Sequence, residues 1–301
     1  MKLSFIGFGV AGYGIAKGLN SAGIKEIYFC DNQWNTPPFS QTLKKRAAEI
    51  GAIYINSIQR LSEKTDIIIS CVTGTVALRI AEQTAPYLSQ NKLYIDVNTT
   101  APMVQEKIAT VIERSGAAFV DAAMMGAIPT FLHRVPILAS GSGAVRFKEL
   151  MEPYGMQIDC LGEKPGKASG LKMFRSIFMK GLVALLIEML MAARRYDAED
   201  TILQSISETM DQNIFTETVR TIFTKGISSA ERMAHEMEDV IETLQYLSLP
   251  VDMTRAVREK LAWCSRLGLR EKFGGSIPET LDQALSALED GAARIKQKAS
   301  D

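Results

Sequence analysis

Up to about residue 160 the chain alternates short apolar runs with stretches of helical periodicity, and after Gly166 the strand-like runs stop. The apolar runs are Lys2–Ile6, Glu26–Cys30, Ala52–Tyr54, Asp66–Val72, Lys92–Val97, Ala118–Asp121 and Pro136–Ser140. Helical spacing fills Thr42–Ile50, Val76–Leu88, Met103–Ser115 and Ala144–Pro153. Such alternation predicts βαβ units, each strand returning parallel to the last through a covering helix. Beyond it, helices are predicted over about 168–195, 198–211, 213–225, 229–247, 251–267 and 278–297. Two of them open on capping boxes, Ser228-x-x-Glu231 and Ser276-x-x-Glu279. The expected fold is α/β: a doubly wound, mostly parallel sheet in 1–163 and an all-α domain in 164–301, with the boundary near Leu161–Pro165 and a cleft between them.

A chain of 301 residues, 47 % of them hydrophobic, suits two domains with a sizeable core. Lys+Arg and Asp+Glu both number 34, so no nucleic acid or anionic membrane is expected as a partner. Cys30, Cys71, Cys160 and Cys264 are scattered without a C-x-x-C pair, and there are two histidines, so no metal site is expected. The picture is of a reducing, cytoplasmic protein. The first apolar run is short and leads straight into glycines, which predicts no secretory leader. The longest apolar stretch, Phe178 to Ala193, carries Lys180 and Glu188. It is shorter than the roughly 20 residues a span needs. It is expected to be a helix buried by protein, with no membrane.

The first strand runs into Gly7-Phe8-Gly9-Val10-Ala11-Gly12, the spacing G-x-G-x-x-G, and then into a helix with small residues at Gly14 and Ala16. In a Rossmann sheet the first glycine allows the tight turn and the second lets a pyrophosphate reach the backbone. The third lets the helix pack closely, and the helix N-terminus favours the anion. Asp31 closes the second strand, where a carboxylate accepts hydrogen bonds from a ribose 2′-OH. It would repel a 2′-phosphate, so NAD is expected over NADP. Lys44-Lys45-Arg46 keeps NADP open, beside its reading as a solvated helix face. Two further strand ends border the cofactor: Cys71-Val72-Thr73-Gly74, contributing Val72 and Thr73, and Asp96-Val97-Asn98-Thr99-Thr100, contributing Asn98 and Thr99. Thr99 or Thr100 equally fits as the N-cap of the next helix.

This order of motifs resembles the β-hydroxyacid dehydrogenase superfamily, which includes 6-phosphogluconate and 3-hydroxyisobutyrate dehydrogenases. Asp96-Val97-Asn98-Thr99-Thr100-Ala101-Pro102 is similar to that family's D-x-[SN]-T-x-x-P segment. Asp121-Ala122-Ala123-Met124-Met125-Gly126 is similar to its D-A-P-V-S-G substrate segment, and Gly166 to Lys172 to its G-x-G-x-x-x-K segment. The C-terminal half, with AERMAHEM over Ala230–Met237, resembles a phosphogluconate-dehydrogenase-like branch. The resemblance implies a catalytic lysine at Lys172 and substrate contacts at Met125 and Gly126. It also implies a basic pair, Arg232 and His235, reaching the substrate, in some relatives from a partner subunit. The chain departs from the pattern at Met125, where the family has the serine that holds the substrate carboxylate. It departs again at Ser176, where an asparagine is usual, and at Ala168, where a glycine is usual.

Lys172, Arg175, Ser176 and Met179 share one helical face at i, i+3, i+4 and i+7. A lysine on the polar stripe of a buried helix is desolvated, which lowers its pKa toward neutrality. That suits a general base that takes a hydroxyl proton as hydride leaves. Ser176 would orient the lysine or the substrate. Arg175 would hold an acid group bidentately, or else pair with a loop carboxylate. His133 has two readings, a residue reaching the substrate or a structural histidine. The expected activity is hydride transfer between NAD, with NADP possible, and a small 3-hydroxy acid or sugar acid. An imine or ketone reductase of the same superfamily, or a non-catalytic nucleotide-binding protein, stands as the alternative. The apolar surface of the helical half predicts a homodimer.

Overall fold

The computed structural model describes residues 2–298. Among them one sheet is built from β1 Leu3–Ile6, β2 Ile27–Cys30, β3 Ile53–Tyr54, β4 Ile67–Ser70, β5 Leu93–Asp96, β6 Ala118–Met124, β7 Ile137–Ser140 and β8 Ile158–Cys160. The strand order is β3-β2-β1-β4-β5-β6-β7-β8. All pairs are parallel except β6 with β7. Helices α1 Val10–Ser21, α2 Phe39–Ile50, α3 Ile58–Lys64, α4 Ala77–Thr84, α5 Pro102–Glu113, α6 Ile128–Phe131 and α7 Ala144–Met151 connect the strands.

Leu3, Phe5, Ile67, Ile69, Leu93 and Ile95 enter the core on one face, and Ile6, Ile68 and Tyr94 enter the core on the other. Side chains alternate along each strand and both faces are covered, so these strands read as unbroken apolar runs. After β3 the chain crosses to the far side of β1 and lays down β4. The crevice between the carboxyl ends of β1 and β4 is therefore the switch point at which such sheets take ligands. β8 and α3 had no expected counterpart. β8 is a three-residue edge with an exposed Asp159, too short to show a period.

The chain divides into two compact units after Ile177, inside α8 Lys167–Arg194 and later than the expected 163/164 boundary. The start of α8 belongs with the sheet because β6 and β7 hold its first turn, as described below. The second unit continues with α9 Glu199–Met210, α10 Phe215–Ser228, α11 Ala230–Tyr246, α12 Asp252–Ser265, α13 Leu269–Lys272 and α14 Leu281–Lys298.

Neither expected capping box forms. Ser228 ends α10 and bonds back to the Thr224 carbonyl. The box at α14 is instead Thr280-x-x-Gln283: the Gln283 N–H donates to Thr280 Oγ1 at 3.2 Å, and Gln283 Oε1 accepts the Thr280 N–H at 3.4 Å. The expected burial of the apolar stretch 178–193 is also absent within one chain. It lies in a 28-residue helix that is, by length and composition, able to cross a membrane. Val183 is 57 % and Ile187 56 % exposed. Glu188 is the buried residue of that stretch. Its carboxylate accepts the Met253 and Thr254 N–H groups at 2.7 and 2.9 Å and so caps α12.

Candidate functional site

Gly7 turns the chain out of β1 at φ +91°, and a Cβ there would collide with the Cys71 carbonyl. A Cβ on Gly12 would collide with the Gly7 carbonyl, so the third glycine packs on the first. Gly9 faces open space, and α1 begins at Val10 without a side-chain cap. An accessible backbone beside uncapped N–H groups at the positive end of a helix is what a pyrophosphate requires. Val10 is exposed and Ala11 half-buried on that first turn. The Phe8 ring is buried and stacks on Phe29 at 4.1 Å, which leaves Phe8 only its backbone to offer.

The Phe8 N–H donates to Asp31 Oδ2 at 2.7 Å, and the Gln33 N–H to Oδ1 at 2.8 Å. A carboxylate has about four acceptor positions, so Asp31 keeps capacity for ribose hydroxyls. Arg46 had two readings, a cation near the ribose and a residue of a solvated helix face. It is half-buried, donates to the Phe8 carbonyl at 3.1 Å and lies 5.2 Å from the Tyr13 ring.

At the neighbouring strand ends Val72 is half-buried, while Thr73 and Thr99 are exposed. Asn98 is buried, and its Nδ2 donates to Ser70 Oγ at 2.9 Å and to Asp96 Oδ2 at 2.8 Å. Its Oδ1 is buried and, among the described residues, has no partner. Neither Thr99 nor Thr100 caps α5: its N-cap is Ala101, and the buried Thr100 hydroxyl accepts from Gln105 Nε2 at 2.8 Å. Asp96 also accepts the Asn98 N–H and Gln105 Nε2, at 3.0 and 2.9 Å. Burial pushes its carboxyl up to about 6 against those bonds.

Asp121 stands in register between Asp96 of β5 and Ser140 of β7. It accepts the N–H groups of Gly166 and Ser169 at 3.1 and 3.0 Å and the Ser169 hydroxyl at 2.6 Å. Ser140 Oγ donates to it at 3.3 Å and accepts the Ala168 N–H at 3.1 Å. Gly166 takes φ +85°, and a Cβ there would stand 2.9 Å from the Pro102 carbonyl. Three segments singled out in the sequence thus meet: the one ending at Pro102, the one beginning at Asp121, and the one leading to Lys172.

Lys172 and Ser176 are half-buried on α8. The Ser176 hydroxyl donates to the Lys172 backbone carbonyl at 3.0 Å and keeps its acceptor lone pairs. Arg175 is exposed and, among the described residues, makes no ion pair. Met125 is half-buried, with its N–H on the Pro136 carbonyl at 2.8 Å, and Gly126 is exposed beside it. His133 takes its structural reading. It is buried against Gly18 of α1, where a Cβ would collide with its ring, and its Nε2 bonds the Tyr154 carbonyl at 3.0 Å. Burial lowers its pKa. Arg232 and His235 are exposed on α11 in the second unit, where Arg232 pairs with Glu236. Asp96 and Asp121 were not among the expected site residues. The sequence signals for the two acids are a carboxylate at the end of an apolar run and its place at the head of a family-like segment.

Residues 2–162 match the family model for the NAD binding domain of 6-phosphogluconate dehydrogenase, and 193–264 match a domain of unknown function, DUF1932. A conserved hypothetical protein from Sinorhizobium meliloti is 31 % identical, covering 97 % of this chain and 96 % of its own, with a TM-score of 0.59. A conserved protein of unknown function, described as structurally similar to 3-hydroxyacid dehydrogenases, is 28 % identical over 88 % of this chain and 98 % of its own, also at 0.59. An imine reductase from Myxococcus stipitatus in complex with NADP+ shares the fold at 15 % identity and a TM-score of 0.74, covering 89 % and 95 %. With its glycine loop, Asp31 and sheet order, the chain belongs to the family of the 6-phosphogluconate dehydrogenase NAD-binding domain, as an oxidoreductase with an NAD-binding domain.

Proposed function

We propose that the protein transfers a hydride between a nicotinamide cofactor and a small 3-hydroxy acid or sugar acid, with Lys172 exchanging the hydroxyl proton. The observation that carries this reading is Asp121, which ties the strand end before Met125 and Gly126 to the turn before Lys172. The likeness to a protein described as similar to 3-hydroxyacid dehydrogenases supports the substrate class.

The backbone of Gly7, Phe8, Gly9, Val10, Ala11 and Gly12 would hold the pyrophosphate and Asp31 the ribose. Val72, Thr73, Asn98 and Thr99 would border the nicotinamide half. The orphaned Asn98 Oδ1 fits a hydroxyl or amide donor there. A bound nicotinamide supplies or accepts the hydride. In oxidation the Lys172 amine takes the hydroxyl proton, and in reduction its ammonium returns it. Arg175 holds the acid group in place of the missing serine at 125. Arg232 and His235 would contact the substrate, as the resemblance to the family implies.

The exposed apolar side chains of α8, with Ile202 and Leu203 of α9 and Phe215 and Ile222 of α10, support a homodimer. The four free cysteines support a cytoplasmic setting.

The test follows nicotinamide absorbance with NAD and NADP across 3-hydroxy acids, sugar acids, ketones and cyclic imines. Turnover of one acid that is lost in Lys172→Ala, with cofactor affinity kept, is the expected result. Met125 in place of the serine favours a second reading, imine or ketone reduction, which turnover of those substrates alone would establish. Cofactor binding without any turnover would leave a nucleotide-binding protein.

A further inference from the structure

We propose that Asp121 is the positioning residue for Lys172: its carboxylate, borne by a strand, captures the first turn of α8 and sets both where that helix begins and how it is rotated. The inference rests on the reading of Lys172 as the acid–base group.

Four donors converge on Asp121: the Gly166 and Ser169 N–H groups and the Ser169 and Ser140 hydroxyls. Because Ser140 also accepts the Ala168 N–H, the N–H groups of Gly166, Ala168 and Ser169 all end on oxygens of β6 and β7. The orphan donors of a helix start are usually capped by the preceding residue. Here the sheet caps them, and β6 is hydrogen-bonded on both sides, to β5 and β7.

The rotation of the helix is held separately. Ser169 and Lys172 lie at i and i+3, on one face. The 2.6 Å bond from the Ser169 hydroxyl to Asp121 Oδ1 pins that face toward the strand ends. Gly166 at φ +85°, backed onto Pro102, stops the helix from starting a residue earlier. A slip of one residue would turn Lys172 by about 100° about the helix axis.

Only a carboxylate suits this position, since four donors need acceptor capacity on two oxygens. An amide offers one oxygen and presents its own N–H groups to the remaining donors. Burial raises the Asp121 carboxyl above its ordinary range, with the four hydrogen bonds opposing that rise.

The test compares the full native chain with Asp121→Asn and Ser169→Ala by three readouts. The first is NADH affinity by fluorescence titration. The second is kcat on the substrate found above. The third is the pH profile of Lys172 labelling by dinitrofluorobenzene, read by peptide mass spectrometry with exposed Lys107 as internal reference. In Asp121→Asn, NADH affinity is expected to hold within about twofold, because the glycine loop is untouched. The kcat should fall about tenfold or more. The Lys172 profile should move by about half a pH unit or more toward that of Lys107. Ser169→Ala, which removes one bond, should move the same readouts in the same direction, and it decides the matter if Asp121→Asn does not fold. Unchanged kcat and labelling profile in folded variants would overturn the proposal. If the native protein turns over no acid, the acid–base reading of Lys172 falls, while the labelling profile still decides whether Asp121 positions that side chain.

Discussion

The carboxylate of Asp31 accepts the backbone N–H of Phe8 at 2.7 Å, so the acid at the end of β2 holds the glycine loop at the end of β1. Under the proposed cofactor site, one side chain would serve both loop geometry and ribose recognition. Asp31→Ala leaves a loop N–H without its charged acceptor, a loss of about 1.5–3 kcal/mol for a hydrogen bond to a charged group. NADH affinity is expected to fall about tenfold or more, with a lower Tm. NADPH affinity should fall less, because the repulsion between Asp31 and a 2′-phosphate disappears with the carboxylate. Fluorescence titration with both cofactors, beside thermal unfolding by circular dichroism, checks each part.

Gly9 and Gly12 should separate binding from stability. An alanine at Gly9 meets no protein atom within 4 Å, so Gly9→Ala should keep the native Tm and obstruct only the approach of a pyrophosphate. An alanine at Gly12 collides with the Gly7 carbonyl and presses on Cys71, which costs about 1–3 kcal/mol as overpacking. Thermal unfolding should show the loss in Gly12→Ala alone, whereas NADH titration should show a loss in both.

Asp96 should give the fold a pH dependence of its own. Burial raises its carboxyl to about 6, above the roughly 3.9 of an unfolded aspartate. The folded state therefore binds a proton more tightly than the unfolded state. The stabilisation is complete below about pH 4 and is lost as pH rises through about 6, a change of roughly 3 kcal/mol. Urea unfolding of the native protein and Asp96→Asn between pH 4 and 7 tests the sign. The native protein should lose stability relative to the variant as pH rises, and a constant difference would refute the assignment.

The homodimer reading has its own test on α8. Val183 and Ile187 are four residues apart on one exposed face of that helix, and each is more than half exposed in a single chain. Val183→Glu with Ile187→Glu would desolvate two carboxylates in any interface formed there, which association does not tolerate. Light scattering after size exclusion should show the native protein as a dimer and the double variant as a monomer that keeps its helical circular dichroism.

What the sequence determined by itself was local. The order of strands and helices follows from periodicity, and the runs that enter both cores are contiguous. The glycine loop and Asp31 follow from residue types at the ends of those runs, because a turn needing φ +91° and an uncapped helix start are encoded within a few residues. The tertiary structure decided what depends on which strand ends come together. Asp121 meets Gly166 and Ser169 across 45 and 48 residues, and Arg46 meets Phe8 across 38. No periodicity reports those distances. His133 read equally well as a ligand or a packed side chain until Gly18 and the Tyr154 carbonyl were found against it. The long apolar helix read as core because hydropathy counts side chains and not neighbours. Its exposure appears only when the rest of the chain is folded and leaves that face uncovered.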